Sequence, residues 1–280
     1  MKNSIPEVTL HDGLKLPAIG FGTYRLNGND GAVSIQSAID MGYRLIDTAY
    51  NYENEGTVGE AVRRSSIPRD ELRITSKLPG RYHEYNRAVP AIQESLYRSG
   101  LDYYDLYLIH WPNPKQDKYL EAWQALIDAK KWGLIRSIGV CNFLPEHLER
   151  LQKETGTTPV INQIELHPFF NQADQIAYHK ENGIQTESWS PLARVTNILG
   201  NETIQSIAAR HEKSVSQVIL RWHHQLGTLP IPKSSSPERQ RENMDIFNFS
   251  LDEAEMRIMN ELHREDGRLK NQHPAIYEEY

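Results

Sequence analysis

A short apolar run followed by an amphipathic helical pattern recurs eight times along this chain, and few architectures accommodate that repeat. The strand-like runs lie in 18–24 and at Leu45–Ile46, Leu72–Ser76, Asp105–Ile109, Ile135–Val140, Val160–Glu165, Ile184–Ser188 and Leu229–Ile231. Helical spacing occupies Ala32–Met41, Val58–Arg64, Glu84–Arg98, Tyr119–Lys131, Glu146–Glu154, Asp174–Asn182, Ile204–His211 with Val215–Gln225, and Glu238–Phe247. Strands alternating with helices in this way predict βαβ units and a parallel sheet. No Pro-, Gly- or Ser-rich linker and no low-complexity tract divides the 280 residues, so the expected fold is one (β/α)8 TIM barrel domain spanning 1–280. A doubly wound open sheet is the competing arrangement, and it favours a Gly-x-Gly-x-x-Gly turn after the first strand. Gly20-Phe21-Gly22-Thr23-Tyr24-Arg25 lacks the third glycine.

Three pieces decorate the repeat. Val8–Leu10 and Leu14–Leu16 flank Asp12-Gly13, which predicts a tight hairpin able to plug one end of a barrel. Pro145 and Pro237 fit the first turns of their helices, with Ser236 as an N-cap. Leu251–Leu262 adds a helix beyond the eight units.

Composition narrows the function. A net charge of −6, with cations scattered among acids, offers no attraction for nucleic acid or an anionic membrane surface. The single cysteine, Cys141, excludes an internal disulfide, and the first residues open no apolar signal region, so the expected compartment is cytoplasmic.

In a barrel, residues that end different strands become neighbours at one face. Asp47 ends the second run, Lys77 the third and His110 the fourth, while Tyr52 follows Asp47 in a loop where Asn51 and Asn54 read as turn and cap residues. Singly these are ordinary: a lysine after a strand is usually solvated, and a histidine before Trp111-Pro112 can be a rim residue. Together they suit proton donation. A phenol titrates near pH ~10, so Tyr52 serves as an acid at neutral pH when an ammonium stabilises its phenolate. Lys77 is that ammonium, Asp47 holds it, and His110 orients a carbonyl oxygen. No metal-ligand spacing and no nucleophile motif accompanies them, so a cofactor is expected as the reaction partner.

Asn142 and Gln163 place amides at the ends of the fifth and sixth strands, suited to a carboxamide, and Trp189 ends the seventh, where it could stack on a flat ring. Leu229–Arg239 runs from a strand through Lys233, Ser234 and Ser236 into a helix N-terminus with Arg239, a site that favours phosphate.

Nearly the whole chain resembles the aldo-keto reductase family. The matching motifs are Asp-Thr-Ala-x-x-Tyr-x-Asn-Glu at Asp47–Glu55, Lys77 after its strand, Leu108–Pro112, Gly139–Phe143, and Ile231–Ser234 with Arg239 and Asn243. Within the family it looks most like the bacterial branch that includes 2,5-diketogluconate reductases. The resemblance implies a barrel that binds NADPH without a Rossmann domain and reduces aldehydes or ketones, with Asp47, Tyr52, Lys77 and His110 as catalytic residues. It implies that Asn142 and Gln163 hold the carboxamide, that Trp189 stacks on the nicotinamide, and that Gly22, Thr23, Cys141, Ser190 and Leu192 complete that end. Lys233, Ser234, Ser236, Arg239 and Asn243 would hold the adenosine end with its 2′-phosphate. Tyr24, Asn51, His110 and Trp111 would face a small-molecule carbonyl substrate.

Two features depart from the family pattern. Cys141 stands where members commonly carry serine, and a thiol donates weakly. The tail after Leu262 is short and should cover little of the substrate. The expectation is a broad-specificity, monomeric NADPH-dependent carbonyl reductase, with a nucleotide-binding sensor of little turnover as the alternative.

Overall fold

The computed structural model describes residues 5–195 and 197–280. Eight strands form one parallel sheet in chain order: β3 (Phe21–Gly22), β4 (Leu45–Asp47), β5 (Arg73–Leu78), β6 (Tyr104–Ile109), β7 (Ile135–Cys141), β8 (Ile161–Glu165), β9 (Gln185–Trp189) and β10 (Leu229–Pro230). The edges meet, because Gly20 N–H donates to Pro230 O at 3.0 Å and Gly22 N–H to Pro232 O at 3.1 Å. The two prolines have no N–H, so the seam takes its donors from the glycine side. A Cβ at Gly22 would lie 3.0 Å from Ile231 O, so a larger residue would crowd the closure. The sheet is therefore the expected (β/α)8 barrel.

The hairpin β1 (Glu7–Thr9) and β2 (Lys15–Pro17) pairs Val8 with Leu16. Leu10 and Leu16 are buried with Leu45, Leu106, Leu108, Ile161 and Leu229 inside the barrel. Asp12 of its turn accepts from Lys130 Nζ at 2.9 Å and Ser137 Oγ at 2.7 Å, which fixes the plug.

The helices are α1 (Gly28–Met41), α2 (Glu55–Arg64), α3 (Tyr85–Ser99), α4 (Tyr119–Lys131), α5 (Pro145–Thr155), α6 (Ala173–Glu181), α7 (Glu202–Arg210), α8 (Val215–Gln225), α9 (Pro237–Met244) and α10 (Glu253–Glu261). α1 starts earlier than its apolar periodicity, because the first turn, Gly28-Asn29-Asp30-Gly31, is polar. α9 stops at Met244, short of Phe247, where Asp245 leaves helical geometry and accepts from Gln217 and Lys213. Between helices and strands lies the main core, with Ile39, Tyr43, Ile74, Tyr107, Trp123 and Leu126 fully buried.

Candidate active site

Asp47 ends β4 and Lys77 is the last but one residue of the neighbouring β5, with Asp47 in register with Thr75 two residues before Lys77. Lys77 is wholly buried, and its Nζ donates to Asp47 Oδ1 at 2.6 Å, Asp47 Oδ2 at 2.7 Å and Thr48 O at 2.8 Å. Burial acts to discharge Lys77, but Asp47 and the neighbouring phenol outweigh it and hold the ammonium above its usual range. Tyr52 lies in the loop after β4 with its ring centroid 5.0 Å from Lys77 Nζ, and its ring meets the His110 ring edge-on at 5.9 Å.

The phenol differs from expectation in one respect. Burial pushes Tyr52 up to about 12, and the Lys77 charge opposes that rise without overcoming it. Lys77 favours the phenolate through its charge and, less strongly, through a hydrogen bond to the phenol oxygen. Tyr52 therefore keeps its proton at neutral pH, and Lys77 limits the cost of giving it up.

The loop is braced from outside. Asn54 occupies the N-cap position of α2 without a capping bond; its Nδ2 donates instead to Thr23 O at 2.7 Å and Leu26 O at 3.0 Å, and Thr48 Oγ1 donates to its Oδ1 at 2.7 Å. Thr23 Oγ1 in turn donates to Asp47 O at 2.9 Å. Tyr24, 42% exposed, leans edge-on to Tyr52 at 5.1 Å.

Asn142 holds the left-handed conformation at φ +61, donates through Nδ2 to His110 O at 3.0 Å and accepts at Oδ1 from Trp189 Nε1 at 2.8 Å. Gln163 spends both amide protons on acidic side chains, Asp47 Oδ2 at 2.9 Å and Glu187 Oε2 at 2.7 Å. That leaves Gln163 Oε1 as its free acceptor. Cys141 is buried among Leu106, Leu108 and Ile161, and desolvation raises its thiol well above the usual value, so it stays protonated. Ser190 sits at φ +50 just past β9, and Leu192 is half-buried beyond it.

Across the β10 end, Lys233 and Arg239 are exposed and make no ion pair among the described residues. Ser236 Oγ caps α9 by accepting from Arg239 N at 3.3 Å, while Ser234 Oγ accepts from Ser236 N at 3.1 Å. Asn243 is buried with no side-chain hydrogen bond among the described residues. Gln240 ties this loop to α1, donating to Ser34 O and to Ser234 O, both at 3.0 Å. Sequence reasoning missed Gln240, which reads as one more polar residue on a polar helix.

It also missed the tail, which reaches the site despite its length. Tyr277 packs on Trp111 at 4.5 Å between centroids. Glu279 Oε1 lies 2.7 Å from His110 Nδ1 and accepts from Asn51 Nδ2 at 2.7 Å. Asn51 also donates to Tyr280 O at 3.1 Å and accepts from Arg81, so its polar groups engage the tail. The short, acidic end carries no signal in sequence that it folds back.

A strand-end Lys–Asp pair beneath a tyrosine, inside a barrel closed without a Rossmann domain, is the geometry the motifs implied. The sequence model of the Aldo/keto reductase family matches residues 18–264. The chain belongs to the aldo/keto reductase family. It is 51% identical over 276 residues to 2,5-diketo-D-gluconic acid reductase B of Corynebacterium sp. (strain SHS752001), covering 99% of both chains. It is 46% identical over 250 residues to methylglyoxal reductase DkgA of Escherichia coli (strain K12), covering 89% of this chain and 90% of that one. Among solved structures, a mutant of Gox0644 in complex with NADPH superposes with a TM-score of 0.91 at 40% identity, covering 95% of this chain and 97% of that one. The Bombyx mori aldo-keto reductase in complex with NADP gives 0.90 at 34%, covering 99% of each. This aldo/keto reductase is thus an oxidoreductase, and among its described residues no helix is long and apolar enough to cross a membrane.

Proposed function

We propose that Tyr52, Lys77, Asp47 and His110 carry out the NADPH-dependent reduction of aldehydes and ketones, with Tyr52 as the general acid. One observation carries the assignment: a fully buried ammonium, held by Asp47 and Thr48 O, sits 5.0 Å from the ring of the tyrosine it must serve.

The residues fit the cofactor. Gln163 Oε1 and the second Nδ2 proton of Asn142 suit the two halves of a carboxamide, Trp189 its ring, and the unpartnered Asn243 amide an adenine edge. Lys233 and Arg239, free of carboxylates, suit the 2′-phosphate. When bound, NADPH supplies the hydride that goes to the carbonyl carbon. Tyr52 gives its proton to the carbonyl oxygen, and His110 orients that oxygen. Lys77, kept charged by Asp47, stabilises the phenolate until solvent reprotonates it.

Tyr24, Trp111, Trp189 and the tail's Tyr277 form a mostly aromatic wall that supports broad specificity for small carbonyl compounds. Relatives named for 2,5-diketo-D-gluconic acid and methylglyoxal favour compounds rich in carbonyls. In our reading the chain acts as one monomeric cytoplasmic domain, 1–280, and its net charge of −6 argues against a nucleic-acid partner. The test is NADPH consumption across a panel of aldehydes, diketones and keto-sugars. Turnover of several is expected; retained NADPH binding with no turnover would favour a sensor.

A further inference from the structure

The C-terminal tail brings a carboxylate to the catalytic histidine. Glu279 is only 7% exposed although it is the penultimate residue. Its main chain is clamped by one side chain: Asn113 Nδ2 donates to Glu279 O at 2.7 Å, and Glu279 N donates to Asn113 Oδ1 at 3.0 Å. Its carboxylate accepts from Gly80 N at 3.2 Å and Asn51 Nδ2 at 2.7 Å, and Oε1 lies 2.7 Å from His110 Nδ1, off the line of an aligned hydrogen bond. Gly80 is shaped for this docking, since a Cβ there would lie 2.0 Å from Asn113 Nδ2 and 2.5 Å from Glu279 O.

The charge on Glu279 is directed at His110. Burial acts to raise the Glu279 carboxyl, but His110, Asn51 and the Gly80 N–H outweigh it and hold it below the usual range, so it stays ionised. The other imidazole near it, His83, is pushed down to about 4 by burial and stays neutral. Arg81 bonds Tyr280 O and Asn51, not the Glu279 carboxylate.

We infer that Glu279 is a positioning residue for His110: its buried, clamped carboxylate, 2.7 Å from Nδ1, holds the imidazole so that Nε2 faces the carbonyl oxygen. This rests on the carbonyl-reductase reading. A carboxylate fixed on the far side of the ring restrains its rotation and keeps Nε2 aimed at the reacting oxygen.

The experiment uses the intact chain. kcat and KM for a simple aromatic aldehyde, and the NADPH Kd from tryptophan fluorescence, are measured for wild type, E279Q, E279D, G80A, H110Q and the E279Q/H110Q double variant. E279Q and G80A are expected to lower kcat by up to about tenfold, the low end of the range for a hydrogen bond to a charged group because the contact to His110 is not aligned, with NADPH Kd unchanged and E279D partly restored. In the H110Q background E279Q should cost less than about twofold more, because a residue that acts through His110 has nothing left to act on. Full additivity, or an E279Q enzyme as fast as or faster than wild type, would overturn the inference, the latter making the tail an inhibitory plug. If wild type reduces no carbonyl, the reductase reading fails by itself. The ring nitrogens of His110 are then followed by nitrogen-edited NMR: a change at Nδ1 between wild type and E279Q upholds the positioning role, and identical spectra overturn it.

Discussion

Asp47 and Glu187 are joined through a single amide: Gln163 Nε2 donates to Asp47 Oδ2 at 2.9 Å and to Glu187 Oε2 at 2.7 Å. The Asp47–Lys77 ion pair is therefore linked to a second carboxyl, fully buried inside the barrel.

That carboxyl has a consequence for stability. Desolvation, with Asp47 nearby, raises Glu187 from 4.5 to about 8 in the folded state. A raised pKa contributes stability that is fully present below the unfolded value and lost as pH rises through the folded one. Across the window from 4.5 to about 8 the wild type should lose up to about 1.4 kcal/mol per pH unit from this group. Glu187→Gln keeps an acceptor for Gln163 and cannot ionise. Its advantage in urea unfolding should be absent near pH ~4 and grow up to pH ~8. A constant difference at all pH values would show that Glu187 does not titrate in this range.

Cys141→Ser tests the departure from the family pattern. The position is fully buried among apolar side chains, so a hydroxyl there costs about 1–3 kcal/mol when it lacks a partner. The free variant should melt earlier than wild type, and saturating NADPH should raise its Tm by more than it raises that of wild type. An equal NADPH-induced rise in both proteins would mean that position 141 does not reach the carboxamide.

Arg239→Ala addresses cofactor choice. NADPH and NADH differ by one 2′-phosphate, so discrimination falls to groups that touch it. Loss of one charged contact is worth about 1.5–3 kcal/mol, or one to two powers of ten in NADPH affinity, and NADH affinity should barely move. The contact is remote from the reacting carbon, so the change should fall on Kd and KM with kcat at saturation preserved. Equal wild-type affinity for the two cofactors, read by tryptophan fluorescence, would remove the phosphate site from Lys233 and Arg239.

What the sequence showed and what it hid divide along range in the chain. The eight units were legible because strand and helix periodicities are local, and Asp47, Lys77 and His110 were legible because each ends a strand whose position the repeat sets. Ser236 as a cap was legible for the same reason. The second role of Asn54, bracing the loop of Thr23 and Leu26, depends on how two loops meet over the barrel mouth. Glu279 against His110 spans most of the chain, and nothing local to either residue announces it. The balance at Tyr52 was half legible: the charge of Lys77 is visible in sequence, whereas the desolvation that outweighs it is a property of the assembled site.

The central claim is that Tyr52 donates the proton. Tyr52→Phe removes the hydroxyl and keeps the ring that packs near Tyr24, Lys77 and His110. Single-turnover reduction of an aromatic aldehyde by NADPH-loaded protein should slow by about 10²–10⁴-fold in Tyr52→Phe, with NADPH Kd unchanged. A Tyr52→Phe protein that retained more than about a tenth of the wild-type rate would contradict the assignment.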